Sequence, residues 1–233
     1  MKGGVRRRDT LVLCYHGVDR HVGRPAGISR ACLAGDVEAL LRRGYEPRTF
    51  ADAVLGEEDG RVLAVTFDDG LRSVFDHGLE VLEQLGVPAT AFACSEHVDR
   101  EGYLGAQELR ALAAAGWEIG SHSATHRLLP HLDDGELAAE LAGSRETLES
   151  VVGQACVSLA YPWGVADARV VAAARAAGYR AACCAPRFAR PDPLAVQRVG
   201  LDPGDGRLAL RLKTSPLARS AHRVAVRAGI LRG

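Results

Sequence analysis

The stretch Val65-Thr66-Phe67-Asp68-Asp69-Gly70 decides the fold of this chain of 233 residues. It ends an apolar run that begins at residue 61, which we predict to be a buried strand, and a helix with inward-facing apolar residues is predicted over residues 72–85. Two adjacent carboxylates therefore lie between the carboxyl end of a strand and the start of a helix. An aspartate at such a place often caps the helix, but capping accounts for one carboxylate and not for both.

Strands and helices alternate on both sides of this stretch. Further strands are predicted at residues 11–15, 89–94, 117–120, 157–161, 179–184 and 195–201, and further helices at 30–43, 106–115, from 133 or 134 to about 152, and 165–177. This order predicts an α/β fold with a mainly parallel sheet and helices outside it. Because the length suits a single α/β barrel, we expect one barrel at residues 1–205 and a basic helical tail at 206–233.

Polar side chains follow several of the predicted strands at the point where each strand ends. In chain order these groups are His16, the pair Asp68 and Asp69, His122, and the run Tyr161-Pro162-Trp163-Gly164. In a parallel barrel all of these strand ends open on the same face, and active sites lie on that face. The sequence therefore predicts one polar site built from four separate strand ends.

The spacing of His122 and His126 indicates a metal site. On a helical turn, residues four apart carry their side chains on one face, and two neutral imidazoles with one carboxylate suit zinc or a similar first-row metal. One aspartate would then bind the metal, and its neighbour would accept a proton from water whose pKa the metal lowers. The alternative interpretation is that the two histidines belong to a polar surface turn.

Composition narrows the class of protein. The formal net charge is zero, so the whole chain shows no bias toward nucleic acid, whereas residues 207–233 contain seven Lys and Arg residues and no acidic one. One interpretation of this basic segment is a helix that lies on an anionic membrane surface or on a partner protein. The other is a solvated helix packed on the flank of the barrel. The six cysteines form no C-x-x-C pair and are expected to be reduced. No apolar run suits a secretion signal or a membrane span, so we expect a cytoplasmic location. If the basic tail lies on a membrane surface, we expect peripheral contact with the inner membrane face.

The two polar motifs together resemble those of the polysaccharide deacetylase family, the NodB-homology metal-dependent N-deacetylases of carbohydrates. The family motif T-F-D-D-G is present at residues 66–70 and the motif H-[ST]-x-x-H at residues 122–126, and the similarity runs from about residue 11 to residue 201. The resemblance implies a distorted (β/α) barrel of about seven units. It also implies that the chain removes the N-acetyl group from an amino sugar by means of metal-activated water.

The resemblance assigns roles to the matching residues. Asp68 corresponds to the general base, and Asp69, His122 and His126 correspond to the ligands of one divalent metal. Zinc is the expected metal, and cobalt and nickel are the alternatives.

The family's third motif, often R-x-P-Y, differs here. Ala160 replaces the Arg that usually orients the base, and the late L-x-H motif is absent. A subgroup that includes the poly-N-acetylglucosamine deacetylases has a Tyr-His strand end and the run A-Y-P-[YW]-G, as this chain does. The resemblance to it implies His16 as general acid, and Trp163 and Tyr161 as the residues that meet the oxyanion and the substrate. The alternative for His16 is a buried core histidine, and Arg198 is the candidate to replace the missing Arg.

The sequence leaves the substrate open. A small N-acetylated glycoside, a natural-product intermediate and a lipid-linked saccharide all suit a protein without an export signal. Two other hypotheses stay open: a hydrolase of formyl groups or cyclic amides, and an inactive barrel that only binds, which the Ala160 replacement favours.

Overall fold

The structure, a computed structural model, describes residues 9–19, 27–57, 59–184 and 192–219. Within these residues, nine short strands pair in parallel to form one sheet. The strands are β1 (Asp9–Tyr15), β2 (Glu46–Arg48), β3 (Arg61–Phe67), β4 (Ala89–Ala93), β5 (Glu118–Ser121), β6 (Ser158–Ala160), β7 (Ala181–Cys184), β8 (Val196–Gln197) and β9 (Val199–Gly200).

The order of the strands closes the sheet into a barrel. The sequence of neighbours is β8-β7-β6-β5-β4-β3-β1-β9, and β2 pairs beside the first half of β3. The two ends of this path, β8 and β9, are consecutive in the chain and are separated by Arg198 alone. One short segment therefore pairs with β7 through its first half and with β1 through its second half. The distorted (β/α) barrel predicted from the sequence is confirmed.

Helices surround the sheet. They are α1 (Arg30–Leu41), α2 (Phe50–Leu55), α3 (Leu79–Gln84), α4 (Ala106–Ala114), α5 (Asp134–Ala138), α6 (Ser144–Val152), α7 (Ala168–Ala176) and α8 (Arg207–Lys213). Local capping explains several helix starts: the side chains of Ser29, Thr49, Asp133 and Asp167 each accept a backbone N–H from the first turn. Two predicted helices are interrupted, because π-helical turns at Val74–Gly78 and Ala139–Gly143 precede α3 and α6.

The barrel has a small apolar interior and a larger core between sheet and helices. Strand alternation directs one set of side chains inward, and this inner cluster contains Val12, Phe50, Ala53, Val62, Ala64, Phe92, Ala160, Ala181 and Cys183. Two of its members, Phe50 and Ala53, come from α2, which contacts β1, β3 and β7. Helix α2 therefore fills the end of the barrel formed by the amino termini of the strands, and the opposite end is left for a site.

The first part of the predicted basic tail packs on the barrel. In α8, Leu210 is buried, and the Thr214 that follows it is also buried. Arg43 donates a hydrogen bond to Thr214 Oγ1 at 2.8 Å, and Arg219 forms an ion pair with Asp9 of β1 at 2.5 Å. The rest of the predicted tail, residues 220–233, lies outside the described residues. Among the helices that are described, none is long and apolar enough to cross a membrane.

Candidate metal centre

Asp69, His122 and His126 meet at the carboxyl end of the barrel. Asp69 Oδ1 lies 3.5 Å from Nε2 of His122 and 3.4 Å from Nε2 of His126. One ligand atom from each of the three side chains lies within 4.8 Å of the other two. The fold thus brings together the three predicted ligands, which come from the ends of β3 and β5.

The two histidines do not lie on a helical turn, so the geometry that we expected from their spacing is wrong. His122 follows β5 directly, and residues 122–126 form a tight loop in which Ser123 and His126 each have a φ of 64°. Ser123 Oγ accepts the backbone N–H of His126 at 3.1 Å and holds this turn. The left-handed backbone of this loop, rather than helical periodicity, places the ring centroids of His122 and His126 4.8 Å apart.

Left-handed backbone also occurs in the other loops of the site. Asp69 has a φ of 69° and Trp163 a φ of 62°. Among the described residues, six non-glycine residues have a positive φ, and four of these six lie in this region. Such conformations cost energy and persist where the surrounding structure determines them strongly, which is common at functional sites. The arrangement therefore indicates a site selected for geometry rather than for loop stability.

A backbone carbonyl orients His122. Its Nδ1 lies 2.7 Å from the carbonyl oxygen of Ala160, and the ring is almost fully buried. Since a carbonyl can only accept, Nδ1 carries a proton and donates it, and Nε2 is the ring nitrogen that faces Asp69. A metal ligand needs this orientation of the ring, because Nε2 is the atom that would face the ion.

The protonation states of the other two ligands also suit a metal. Burial alone would raise the pKa of Asp69, but the hydrogen bond and charge of His122, with smaller effects of His16 and His126, outweigh it and lower the pKa below its ordinary value. Burial, followed by the charge of His122, lowers the pKa of His126. At neutral pH Asp69 is therefore anionic and His126 neutral. One carboxylate and two imidazoles fit a divalent first-row metal, and zinc in particular.

Asp68 is held by Arg198 in the barrel interior. Arg198 Nη1 and Nη2 lie 2.6 Å from Oδ1 and Oδ2 of Asp68, and both side chains are less than a tenth exposed. Burial would raise the pKa of Asp68, but the charge of Arg198, followed by those of His122 and His16, lowers it well below the ordinary value. Asp68 is therefore a fixed carboxylate, adjacent in sequence to Asp69 and pointing to a different partner.

The position of Arg198 explains the Ala160 replacement. Ala160 belongs to the inner cluster together with Phe92, and the guanidinium carbon of Arg198 lies 5.8 Å from the centre of the Phe92 ring. The small side chain of Ala160 leaves room in the interior, and the guanidinium enters from the segment between β8 and β9, which β7 alone separates from the strand of Ala160. The structure thus places an arginine against the predicted base, at the residue that the sequence offered as a candidate.

His16 and Trp163 lie at the rim of the cleft, and Tyr161 does not. The first two line the same cavity as the metal ligands, and the Trp163 ring lies 5.0 Å from that of His126. Trp163 is 68% exposed and His16 is exposed, so His16 is not a core histidine. Tyr161 is fully buried, its hydroxyl donates to the carbonyl of Leu194 at 3.1 Å, and its N–H donates to that of Cys183. The expectation that the Tyr161 side chain meets substrate is corrected: it is a core residue.

Glu140 is a site residue that the sequence analysis missed. Its carboxylate is buried behind the histidine loop, where Oε2 accepts the backbone N–H groups of Ala124 and Thr125 at 2.9 Å and Oε1 accepts the Thr125 hydroxyl. It comes from the π-helical turn at Ala139–Gly143, which the sequence predicts only as continuous helix. A glutamate in an amphipathic helix looks like a solvated surface residue, and no local pattern distinguished it.

The site lies at the base of an open cavity of about 560 Å³. Asp68, Asp69, both histidines and Arg198 form part of its wall, and Tyr103 and Trp163 contribute aromatic surface. A cavity of this size with a few convergent polar groups and flanking aromatic rings suits a small polar molecule or one unit of a larger one.

Comparisons with known proteins agree with this geometry. The chain is 24% identical over 174 residues to the protein YxkH of Bacillus subtilis (strain 168), a match that covers 72% of this chain and 62% of YxkH. It is 30% identical over 142 residues to a chitooligosaccharide deacetylase of Rhizobium leguminosarum bv. trifolii, covering 60% of this chain and 63% of that protein. The matches therefore span less than two thirds of the length of these relatives.

Solved structures show the same fold. A polysaccharide deacetylase from Bacillus cereus superposes with a TM-score of 0.79 at 26% identity, over 88% of this chain and 69% of that one. IcaB from Ammonifex degensii has a TM-score of 0.75 at 24% identity and covers 90% of this chain and 100% of its own. The family model described as polysaccharide deacetylase matches residues 56–182, which is more than half of the chain. This protein belongs to the polysaccharide deacetylase family.

Proposed function

We propose that this protein removes the N-acetyl group from an amino sugar with the help of one divalent metal ion, zinc first among the candidates. The observation that carries the proposal is the convergence of Asp69, His122 and His126 next to a second carboxylate, Asp68, that is held by a different partner. Amide hydrolysis needs an activated water, a proton acceptor and a proton donor; the first three of these residues would supply a metal site to activate the water, and Asp68 would be the proton acceptor. Family membership supports the same reaction class.

The three ligands would hold the ion, and a divalent metal there would supply Lewis acidity and lower the pKa of a nearby water. Asp68 has the position of the proton acceptor. Arg198 stabilises the Asp68 anion, so the pKa of Asp68 is low and the carboxylate stays ionised. The same low pKa makes Asp68 a weak base. A weak base suffices when the water that it deprotonates is itself acidified.

His16 is proposed as the donor of a proton to the leaving amine. It is exposed at the rim, lines the same cavity, and contributes to the field at both Asp68 and Asp69. Trp163 is proposed to contact the substrate: its indole covers one side of His126, and its backbone N–H remains the predicted contact for the oxyanion. The strained φ of Trp163 fixes the direction of that N–H.

The fold changes the support for the two alternative functions, an inactive binding barrel and a hydrolase of another amide. An inactive binding barrel was favoured by the missing arginine at position 160, and that argument disappears because Arg198 contacts the base. Hydrolysis of a formyl group or a cyclic amide uses the same residues and stays an alternative. The cytoplasmic location also stays a proposal: all six cysteines are free thiols, which supports a reducing compartment.

The first test is acetate release. Purified protein loaded with zinc, cobalt or nickel is incubated with a panel of N-acetylglucosamine compounds that includes glycosides, oligosaccharides and lipid-linked saccharides. We expect acetate release from at least one compound. If the protein is shown to contain bound metal and no compound of the panel releases acetate, the proposal is rejected.

The second test separates the base from the metal site. In Asp68→Ala we expect kcat to fall by roughly 10²–10⁴-fold, the usual contribution of a general base, while metal content persists. Folding is checked by circular dichroism, because the variant leaves Arg198 buried without its partner. Unchanged turnover in a folded, metal-loaded variant would contradict the role of Asp68.

A further inference from the structure

Helix α8 exposes leucine side chains to solvent. The described residues contain four exposed large hydrophobic side chains, and three of them lie in or just after α8: Leu208 at 70%, Leu212 at 59% and Leu217 at 85% exposure. Leu208 and Leu212 are four residues apart and share one face of the helix. Three exposed leucines within ten residues of chain are unusual for a surface that meets only water.

Two exposed arginines flank these leucines. Arg207 and Arg211 are exposed, and within the described residues neither forms an ion pair, whereas Lys213 pairs with Asp205 and Arg219 with Asp9. The surface of α8 formed by Arg207, Leu208, Arg211 and Leu212, called the α8 surface below, is therefore apolar and cationic. No acidic residue occurs anywhere from residue 206 to residue 233.

The α8 surface is part of a firmly attached helix. The opposite side of the segment is anchored by the buried Leu210 and Thr214, by the hydrogen bond from Arg43 and by the pair between Arg219 and Asp9. Lys213 Nζ donates to the carbonyl of Gly200, a residue that lines the cleft. The exposed leucines are therefore fixed on the flank of the barrel that adjoins the rim of the site.

We propose that the α8 surface binds the headgroup region of an anionic lipid bilayer. Leucines on one face with arginines beside them are the composition of an interfacial helix, and each arginine near a negatively charged surface contributes to binding. Charge decides against the other occupants. A second copy of this chain in a two-fold interface would oppose the surface to itself and bring arginines together. Residues 220–233 carry only positive charge and would be repelled in the same way.

The test measures binding of the full chain to vesicles. Protein is sedimented with vesicles of phosphatidylcholine alone and of phosphatidylcholine mixed with phosphatidylglycerol, at low and high salt. We expect binding to the anionic vesicles only, weakened by salt. The double variant Arg207→Gln/Arg211→Gln should bind roughly 30-fold more weakly, the effect of losing two cations at such a surface, and Leu208→Ser/Leu212→Ser should also lose binding. Both pairs are exposed, so the fold is expected to persist.

Arg180 provides the matched control, since it is an exposed arginine before β7, outside this surface. Arg180→Gln should bind as the wild type does. Equal sedimentation of all variants, or equal binding to neutral and anionic vesicles, overturns the proposal. Light scattering that shows a dimer abolished by the leucine variant overturns it in favour of self-association. The assay needs neither metal nor substrate, so its result is independent of the proposed hydrolysis.

Discussion

At the scale of single residues, the ion pair between Asp68 and Arg198 determines the pH at which the proposed base is ionised. We predict that Arg198→Gln shifts the acidic limb of the pH profile of kcat/KM upward. In the wild type the pKa of Asp68 lies well below its ordinary value, because the arginine overcomes burial. Without the arginine, burial is opposed only by the charges of His122 and His16, and the carboxylate takes up a proton as the pH falls through a higher pKa. The expected shift is roughly 1–3 units, the usual effect of one close opposite charge.

The control for this prediction is Arg219→Gln. Arg219 also pairs with an aspartate, Asp9, but that aspartate begins β1 and lies away from the site. The variant should lose some stability and keep the wild-type pH profile. If Arg198→Gln and Arg219→Gln gave the same profile, Arg198 would have no role in setting the charge of Asp68.

Tyr161 gives a second prediction at this scale. Tyr161→Phe removes the hydrogen bond to the Leu194 carbonyl and leaves that acceptor unsatisfied in the core. We expect the free energy of unfolding to fall by about 1 kcal/mol, measured by urea denaturation, while kcat and KM of the folded enzyme stay unchanged. A lower kcat at unchanged stability would restore the substrate role that the sequence suggested for this side chain.

At the scale of elements, the loop at residues 122–126 depends on the π-helical turn at Ala139–Gly143. Glu140→Gln replaces one of the two carboxylate oxygens that hold Ala124 and Thr125 with an amide nitrogen, which cannot accept their hydrogen bonds. We predict that the affinity for zinc falls roughly 10- to 100-fold, as is usual when the support of a ligand is removed. Competition with a chromophoric chelator measures it.

Glu146→Gln is the matched control, since Glu146 lies on α6 in the same helical run and is exposed. It should bind zinc as the wild type does. Zinc affinity that is the same in both variants would mean that the histidine loop keeps its geometry without Glu140.

The elements also show what the sequence could and could not predict. Buried strands and their helices follow from apolar periodicity, so β1, β3, β4 and β5 were predicted within a few residues. The strand β2 (Glu46–Arg48) has no apolar pattern and was missed. The predicted strand at residues 195–201 is divided, because Arg198 turns inward to Asp68 while its neighbours pair with two different strands. Local patterns carry no information about a partner 130 residues away.

At the scale of the whole molecule, α8 belongs to the barrel rather than to a separate tail. We predict that Leu210→Ala lowers the free energy of unfolding by about 2–5 kcal/mol, because this side chain is buried against the barrel. Leu208→Ala, on the exposed face of the same helix, should change it by less than about 0.5 kcal/mol. Thermal or urea unfolding compares them, and equal effects would show that α8 does not contribute to the core.

In the site too, residues in short local motifs could be predicted from the sequence, whereas their partners from distant parts of the chain could not. Asp69, His122 and His126 could be chosen from the sequence because their motifs are short, although the loop that joins the histidines was expected to be helical. The partner of Asp68 needed the closed barrel, and Glu140 needed the packing of a helix behind the loop. Residue types that carry chemistry are visible in a sequence, and the groups that hold them in place mostly are not.

The closure of the sheet through Arg198 has a consequence for biosynthesis. A nascent chain that has left the ribosome only as far as β7 already contains the three candidate metal ligands, Asp69, His122 and His126. Its Asp68 still lacks the guanidinium, because Arg198 arrives with the last two strands. Under the proposed function, such a fragment would contain the candidate metal ligands, while its Asp68 would lack the partner that lowers the pKa of the carboxyl.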